Sequence, residues 1–165
     1  MGNINGQKSR KNMLVVIAEK EELKLVEKLG YNDIPVIITG VGGLNAINAL
    51  KHVSKETGII NIGYAGSNKL KVGTVVGISK SATNHEKANF KEAERYLPIS
   101  TCDKLNEVAP CYTSTDFVEK TNKEKACVFD MELAFICAMF DNVRSIKVVS
   151  DTLSFEEYKT NMKES

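Results

Sequence analysis

The chain has 165 residues, of which 42% are hydrophobic and 26% charged, and its formal net charge is +1. This length predicts one domain with one core. The balanced charge excludes a chain held to nucleic acid or to an anionic membrane by its overall field, and no apolar run is long enough to span a bilayer. Residues 1–12 are polar, so we expect a disordered leader followed by a single domain over 13–165.

The cysteines and histidines do not form a metal-binding pattern. The four cysteines have no CxxC spacing, and both histidines lie far from them in sequence. Cys127 and Cys137 stand in apolar runs that are typical of buried thiols. We therefore expect no metal, no other cofactor and a reducing, cytoplasmic setting.

Strands and helices alternate in the first half of the chain. Apolar runs, bounded by glycine turns, predict strands, and apolar residues at helical spacing predict helices that end at a glycine. The predicted strands are 13–18, 34–40, 59–63 and 71–82, and the predicted helices are 23–29 and 42–58.

The second half continues the alternation after a polar stretch. Residues 86–110 have weak periodicity and predict a short helix and a loop, and 113–122 predicts a short helix capped by Ser114 or Thr113. Strands are predicted at 126–130 and 145–151, with a helix at 131–141 and a last helix that begins at Ser154, where Glu157 could complete a capping box. The alternation predicts an α/β sheet covered by helices on both faces.

Ligands of such sheets bind outside the carboxyl ends of the strands. The predicted ends carry two glycine-rich turns, "GVGG" at 40–43 and "GYAGS" at 63–67, and several acidic residues. Each glycine turn either lets backbone N–H groups approach an anion or a sugar, or is only a tight turn. The glutamates at 19–22 would in the simplest case complement a helix dipole, and Asp151 would cap a turn.

Glu132 is harder to explain as a purely structural residue. It follows a buried strand and opens an almost wholly apolar helix, where an unpaired carboxylate would cost several kcal/mol. We therefore expect Glu132 to reach an open rim or to accept hydrogen bonds, for example from the two hydroxyls of a ribose. Asp130 is the better candidate for capping the helix.

Six blocks, in order, carry a resemblance to a known family: "IAEKEEL", "GVGGLNA", "NIGYAGSNKLKVGTVV", "TSTDF", "VFDMELAFIC" and "VVSD…LSFEEY". Together they resemble the nucleoside phosphorylase/nucleosidase superfamily, and its branch of 5′-methylthioadenosine/S-adenosylhomocysteine nucleosidases in particular. The resemblance implies a single three-layer α/β domain with a mixed central sheet between helices. It also implies hydrolysis of the N-glycosidic bond of a small-molecule purine nucleoside, in a homodimer.

The resemblance also implies roles for particular residues. Asp151 would donate a proton toward purine N7, and Glu22, or otherwise Glu19, would activate the attacking water. The substrate would be bound by the carboxylate of Glu132 on the ribose hydroxyls and by further residues around the sugar and the base: Met131, Phe117, Ala65, Gly66 and Ser150.

The chain departs from the family in places. Residues 86–110 are shorter than the corresponding family segment, Tyr64 replaces a small residue and would crowd the pocket, and Lys147 replaces an arginine. The three arginines of the chain fall outside the matching blocks, which favours water over phosphate as the nucleophile. Two alternatives stay open: a nucleoside-binding homologue without turnover, and a phosphorylase that holds phosphate with backbone amides and Ser67 or Ser81.

Overall fold

The computed structural model describes residues 12–84, 96–102 and 105–164. The predicted leader lies almost wholly outside these ranges, as does much of the short 86–110 segment. Seven strands are present in the described ranges: β1 (Met13–Ile17), β2 (Val36–Ile38), β3 (Gly58–Ser67), β4 (Val75–Thr83), β5 (Val108–Thr113), β6 (Val128–Asp130) and β7 (Val143–Asp151). The helices are α1 (Leu23–Lys28), α2 (Gly43–Leu50), α3 (Leu133–Met139) and α4 (Phe155–Glu164), with one 3-10 turn at Lys20–Glu22 before α1.

The strands form one mixed sheet in the order β2-β1-β3-β6-β5-β4-β7. β1 pairs in parallel with β2 and β3, whereas β3 with β6 and β4 with β7 are antiparallel. β3 also pairs in parallel with β7, so part of the sheet closes on itself. The mixed α/β sheet predicted from the sequence is confirmed.

Helices cover the sheet on both faces. α2 and α3 pack on one face through a cluster that includes Leu50 and Ile136, and α1 and α4 border a second cluster that includes Leu25 and Ile62. The two clusters take alternate residues of β3, because successive side chains of a strand point to opposite faces. None of the helices in the described ranges is long and apolar enough to cross a membrane.

Two sequence predictions about 86–122 are wrong within the described residues. Val108–Thr113 forms strand β5 and not part of a loop, and Pro110 is tolerated because it lies at an irregularity in the pairing with β4. The helix predicted over 113–122 is absent. The Thr113 hydroxyl donates to Asp130 and accepts a hydrogen bond of 2.9 Å from the N–H of Ala134, so it serves the first turn of α3 and not a helix at 113–122. The N–H of Ser114 donates to the Asp130 carbonyl.

Helix boundaries also differ from the predictions. α2 ends at Leu50 and not at Gly58, because the polar residues that follow form turns, one of them closed by a bond from the N–H of Thr57 to the Ser54 carbonyl. The Ser154 cap of α4 is confirmed, since its hydroxyl accepts a hydrogen bond from the N–H of Glu157.

Candidate active site

Glu22 lies between β1 and α1, and three backbone N–H groups hold its carboxylate. Oε1 accepts hydrogen bonds from Ala18 at 2.9 Å and from Glu19 at 3.0 Å, and Oε2 accepts one from Tyr64 at 2.8 Å. A Cβ atom at Gly63 would lie 2.5 Å from Oε2, so glycine is required for this approach. Burial raises the pKa of Glu22 despite these bonds.

Glu132 precedes α3, and its buried carboxylate reaches the glycine-rich turn at 40–43. Oε2 accepts a hydrogen bond of 2.7 Å from the N–H of Gly42. Burial, and then the neighbouring Asp130, raise the pKa of Glu132 to about 8, although Lys147 acts in the opposite direction. The group that the N–H of this glycine turn binds is therefore a side chain of the protein itself.

Asp151 ends β7 and has 0% of its surface exposed. Its Oδ2 accepts a hydrogen bond from the Ser150 hydroxyl at 2.8 Å, and its Oδ1 accepts one from the N–H of Leu153 at 2.9 Å. Burial raises the pKa of Asp151 in spite of both bonds. Leu153 has a φ of +70°, a strained value for a branched side chain, and it turns the chain so that its N–H faces the carboxylate.

A small cavity of ≈ 30 Å³ lies between the segment after β5 and the turn that follows β6. Three residues that the sequence analysis assigned to the substrate, Phe117, Met131 and Gly66, line this cavity together with Asp116, Val118, Phe129 and Asp130. A Cβ atom on Gly66 would lie 2.7 Å from Oδ1 of Asp151, so Gly66 brings Asp151 close to the cavity wall. The ring of Phe117 also contacts Phe155 of α4, with 5.2 Å between the ring centres.

Three residues from the sequence analysis lie elsewhere. Ala65 packs in the apolar core below α3, and its carbonyl faces the Ser150 hydroxyl at 3.5 Å. Ser150 and Tyr64 line a second groove, beside Asn161 of α4.

Tyr64 packs with Ile62 in the core cluster near α1. The ring of Tyr64 therefore points away from the face that carries Gly63 and Glu22, and it does not crowd the carboxylates, contrary to the sequence expectation.

A buried ion pair lies beneath the site. Nζ of Lys147, a residue 1% exposed, lies 3.1 Å from Oδ2 of Asp130. The same oxygen accepts a bond of 2.8 Å from the N–H of Leu133, the first residue of α3, so Asp130 binds one end group of the helix although Glu132 occupies the N-cap position. Sequence reasoning noted Lys147 as a substitution but did not assign its partner, although a lone lysine within the apolar run "SIKVV" was a signal of a buried pair.

These groups together suit acid–base chemistry on an uncharged ligand. Burial raises the pKa of each of three carboxylates, and one of them, Asp151, lies against Gly66, which lines the cavity. Carboxyl groups of this kind can hold a proton, accept one or accept hydroxyl hydrogen bonds. Within the described ranges, no group of three His, Cys, Asp or Glu side chains is arranged to hold a metal ion.

No protein-family model and no curated protein sequence matches the chain. Solved structures do match its fold. A nucleosidase (MTAN) from Chlamydia trachomatis has a TM-score of 0.70 and 17% identity, over 92% of this chain and 87% of that chain. A futalosine hydrolase mutant from Helicobacter pylori has a TM-score of 0.68 and 14% identity, over 92% and 90%.

A mutant MTAN from Helicobacter pylori, with 5′-methylthioadenosine in its active site, has a TM-score of 0.67 and 14% identity, over 92% of this chain and 90% of that chain. At sequence identities this low, the similarity supports a conclusion about the fold only. The chain has the fold of these nucleosidases, which confirms the architecture that the sequence resemblance implied.

Proposed function

We propose that the chain hydrolyses the N-glycosidic bond of a purine nucleoside, with 5′-methylthioadenosine or S-adenosylhomocysteine as substrate and adenine as product. The observation that carries this proposal is the set of three buried carboxylates, Glu22, Glu132 and Asp151, at the end of the sheet where Phe117 and Met131 border a cavity. The nucleosidase fold agrees with it.

Asp151 is the proton donor in this proposal. Because burial raises its pKa, it retains a proton more readily than an exposed aspartate. It gives that proton to N7 of the purine while the bond from C1′ to the base breaks and its electron pair goes to the base. Protonation makes adenine a better leaving group, as general acids do for the leaving groups of other glycosides.

Glu22 is the acceptor of the water proton. Its carboxylate is fixed by three backbone N–H groups, and each carboxylate oxygen can accept more than one hydrogen bond. The water oxygen bonds to C1′, and its proton passes to Glu22. Glu19, the alternative, directs its carboxylate to the Tyr158 hydroxyl at 2.6 Å, which favours Glu22.

Glu132 is the ribose acceptor in this proposal. Its Oε2 receives the bond from Gly42, which orients the carboxylate and leaves lone pairs for the sugar hydroxyls. Met131 would lie against the sugar, and Phe117 against the base. Ala65 and Ser150 would support the site from behind the lining residues, Ser150 through its bond to Asp151.

Phosphorolysis is less well supported than hydrolysis. The Gly42 N–H already donates to the side chain of Glu132, so a phosphate there would have to displace that side chain. The Ser67 hydroxyl donates to the Cys127 carbonyl, and Ser81 is fully buried. A binder without turnover would be expected to leave Asp151 misplaced or open to water, whereas Asp151 is fully buried.

The test is release of free base, followed by chromatography, from methylthioadenosine, S-adenosylhomocysteine, adenosine, inosine and futalosine, each with and without phosphate. We expect adenine without phosphate. Release that requires phosphate would establish the phosphorylase alternative. Binding by calorimetry without release would establish the non-catalytic alternative. Release of hypoxanthine from futalosine or inosine alone would replace the adenine nucleosides as substrates.

The homodimer is also a proposal. Ile38, Val41, Leu44 and Ile47 are exposed large apolar side chains, Leu44 at 82%, in a stretch from 38 to 50 that contains no charged residue. An apolar patch of this kind is typical of a protein–protein contact. Light scattering should give twice the chain mass, and Leu44→Glu should give the monomer, whereas Val108→Glu, at a site 51% exposed on β5, should not.

A cytoplasmic location stays a prediction. The four cysteines are free, and three of them are buried. Free thiols fit a reducing compartment. Fractionation of cells that express the chain would test this location.

A further inference from the structure

Helix α4 is joined to three other segments by hydrogen bonds. Nδ2 of Asn161 donates to the Ser150 carbonyl at 2.8 Å, and Nζ of Lys24 donates to the Met162 carbonyl at 2.6 Å. Tyr158 makes the third connection, to Glu19. The helix therefore spans from the Asp151 turn to the segment that carries Glu22.

Tyr158 lies at the centre of these contacts. Its hydroxyl donates to Oε2 of Glu19 at 2.6 Å, and the N–H of Glu19 donates to Oε1 of Glu22 at 3.0 Å. Two hydrogen bonds thus connect α4 to the proposed base. The ring of Tyr158 also lies 5.6 Å from the ring of Phe117, on the side of the cavity.

The hydroxyl of Tyr158 is suited to donate a hydrogen bond to Glu19. Burial and the carboxylate of Glu19, with smaller effects of Glu22 and Glu132, raise the pKa of Tyr158. The raised pKa favours the protonated phenol, which is the form that donates to Glu19. A hydrogen bond from a neutral hydroxyl to a carboxylate is among the stronger kinds of side-chain bond.

We propose that Tyr158 is a positioning residue: by holding Glu19 it fixes the backbone N–H that orients the carboxylate of Glu22, and it fastens α4 beside Phe117. The inference rests on the proposed function for its kinetic consequence. Its structural consequence, the fastening of α4 to the turn at 19–22, does not depend on any activity.

If Tyr158 contributed only packing, the substitution Tyr158→Phe would have no effect. A tyrosine that only fills space between Phe117 and Phe155 could be replaced by phenylalanine without loss, because the ring would be retained. Tyr158→Phe therefore distinguishes the contribution of the hydroxyl from that of the ring. Tyr31→Phe is the matched control, since Tyr31 packs against the same apolar cluster but follows the far end of α1.

The first measurement is hydrogen exchange of the folded protein. Tyr158→Phe should increase amide exchange in 155–164 and in 19–23, and Tyr31→Phe should leave both segments unchanged. Equal exchange in Tyr158→Phe and the wild type would overturn the proposal. This measurement holds even if no nucleoside is hydrolysed, so failure of the proposed function and failure of this inference are distinguishable.

The second measurement is steady-state kinetics on the best substrate. Because Glu22 acts on water in the transition state, Tyr158→Phe should lower kcat about tenfold, with KM changed less than about twofold. Glu19→Gln, which keeps an oxygen acceptor for the hydroxyl, should lose less than Glu19→Ala. A rise in KM alone, or equal losses in the two Glu19 variants, would contradict the positioning role.

Discussion

The carboxylate of Glu132 accepts a hydrogen bond of 2.7 Å from the backbone N–H of Gly42, although the two residues are 90 positions apart in the chain. The bond joins the turn before α2 to the turn before α3. Gly42 has a φ of +94°, in the left-handed region that branched and other L side chains rarely adopt. The conformation of one glycine therefore aims the N–H that orients the proposed ribose acceptor.

Replacing Gly42 tests this relationship. Gly42→Ala places a Cβ in the left-handed region, which should cost about 1–2 kcal/mol of unfolding free energy. It should also raise the KM of a ribonucleoside, because the N–H that orients Glu132 would move. Gly30→Ala is the control, since Gly30 has a φ of +84° far from the site. In urea unfolding both variants should lose similar stability, and an equal change of KM in both would contradict the role of Gly42.

The buried carboxylate of Glu132 predicts a pH dependence of stability. Its pKa is about 8 in the folded protein against an ordinary value of 4.5, so the folded state binds the proton more tightly. The stabilisation is fully present below about pH 4.5 and is lost as the pH rises to about 8. Glu132→Gln, which stays neutral, should lose less stability than the wild type between pH 5 and pH 8. Parallel curves from denaturant titrations at several pH values would show that Glu132 does not titrate in this range.

Asp151→Asn tests the proton donor. The asparagine oxygen can still accept the bond from the Leu153 N–H, so we expect the melting temperature to change little. Loss of general-acid catalysis should lower kcat by about 100-fold or more. The measurement is adenine release, with thermal unfolding to establish that the variant is folded. Activity within a few fold of the wild type would remove Asp151 from this role.

Lys147 and Asp130 should behave as one buried unit. Lys147→Met leaves the carboxylate of Asp130 buried without its cation, which should cost about 3–5 kcal/mol of unfolding free energy. The double variant Lys147→Met/Asp130→Asn should recover part of that loss, because no unpaired charge remains. Urea unfolding of Lys147→Met, of Asp130→Asn and of the double variant measures the coupling. Additive losses would show that the pair contributes nothing beyond its separate residues.

Much of the architecture could be predicted because it depends on local patterns. The apolar runs of β1 and β7 and the apolar face of α3 are short-range signals of a strand or a helix, and the structure confirms them. β5 was missed because Pro110 argues locally against a strand. An irregularity in the pairing with β4, a long-range feature, accommodates the proline.

The candidate site was predicted in part. An accepted hydrogen bond was one of the two outcomes expected for Glu132 from its place before an apolar helix. The bond from the first N–H of α3 to Asp130 agrees with the expectation that Asp130 serves that helix end. The partners of these carboxyl groups could not be predicted, because each comes from a distant part of the chain. They are Gly42 for Glu132, Lys147 for Asp130 and Tyr158 for Glu19. Propensity carries no information about which turns meet at the sheet edge.

The sequence by itself determined the alternation of strands and helices, the glycine turns and the residue types of the proposed site. The tertiary structure decided which atoms of those residues are bound and which remain available to a ligand. The reason is physical: hydrophobic periodicity acts within a few residues, whereas burial and hydrogen bonding depend on what packs against each group. Glu22 and Glu19 are three positions apart, yet only the fold directs one carboxylate to three backbone N–H groups and the other to Tyr158.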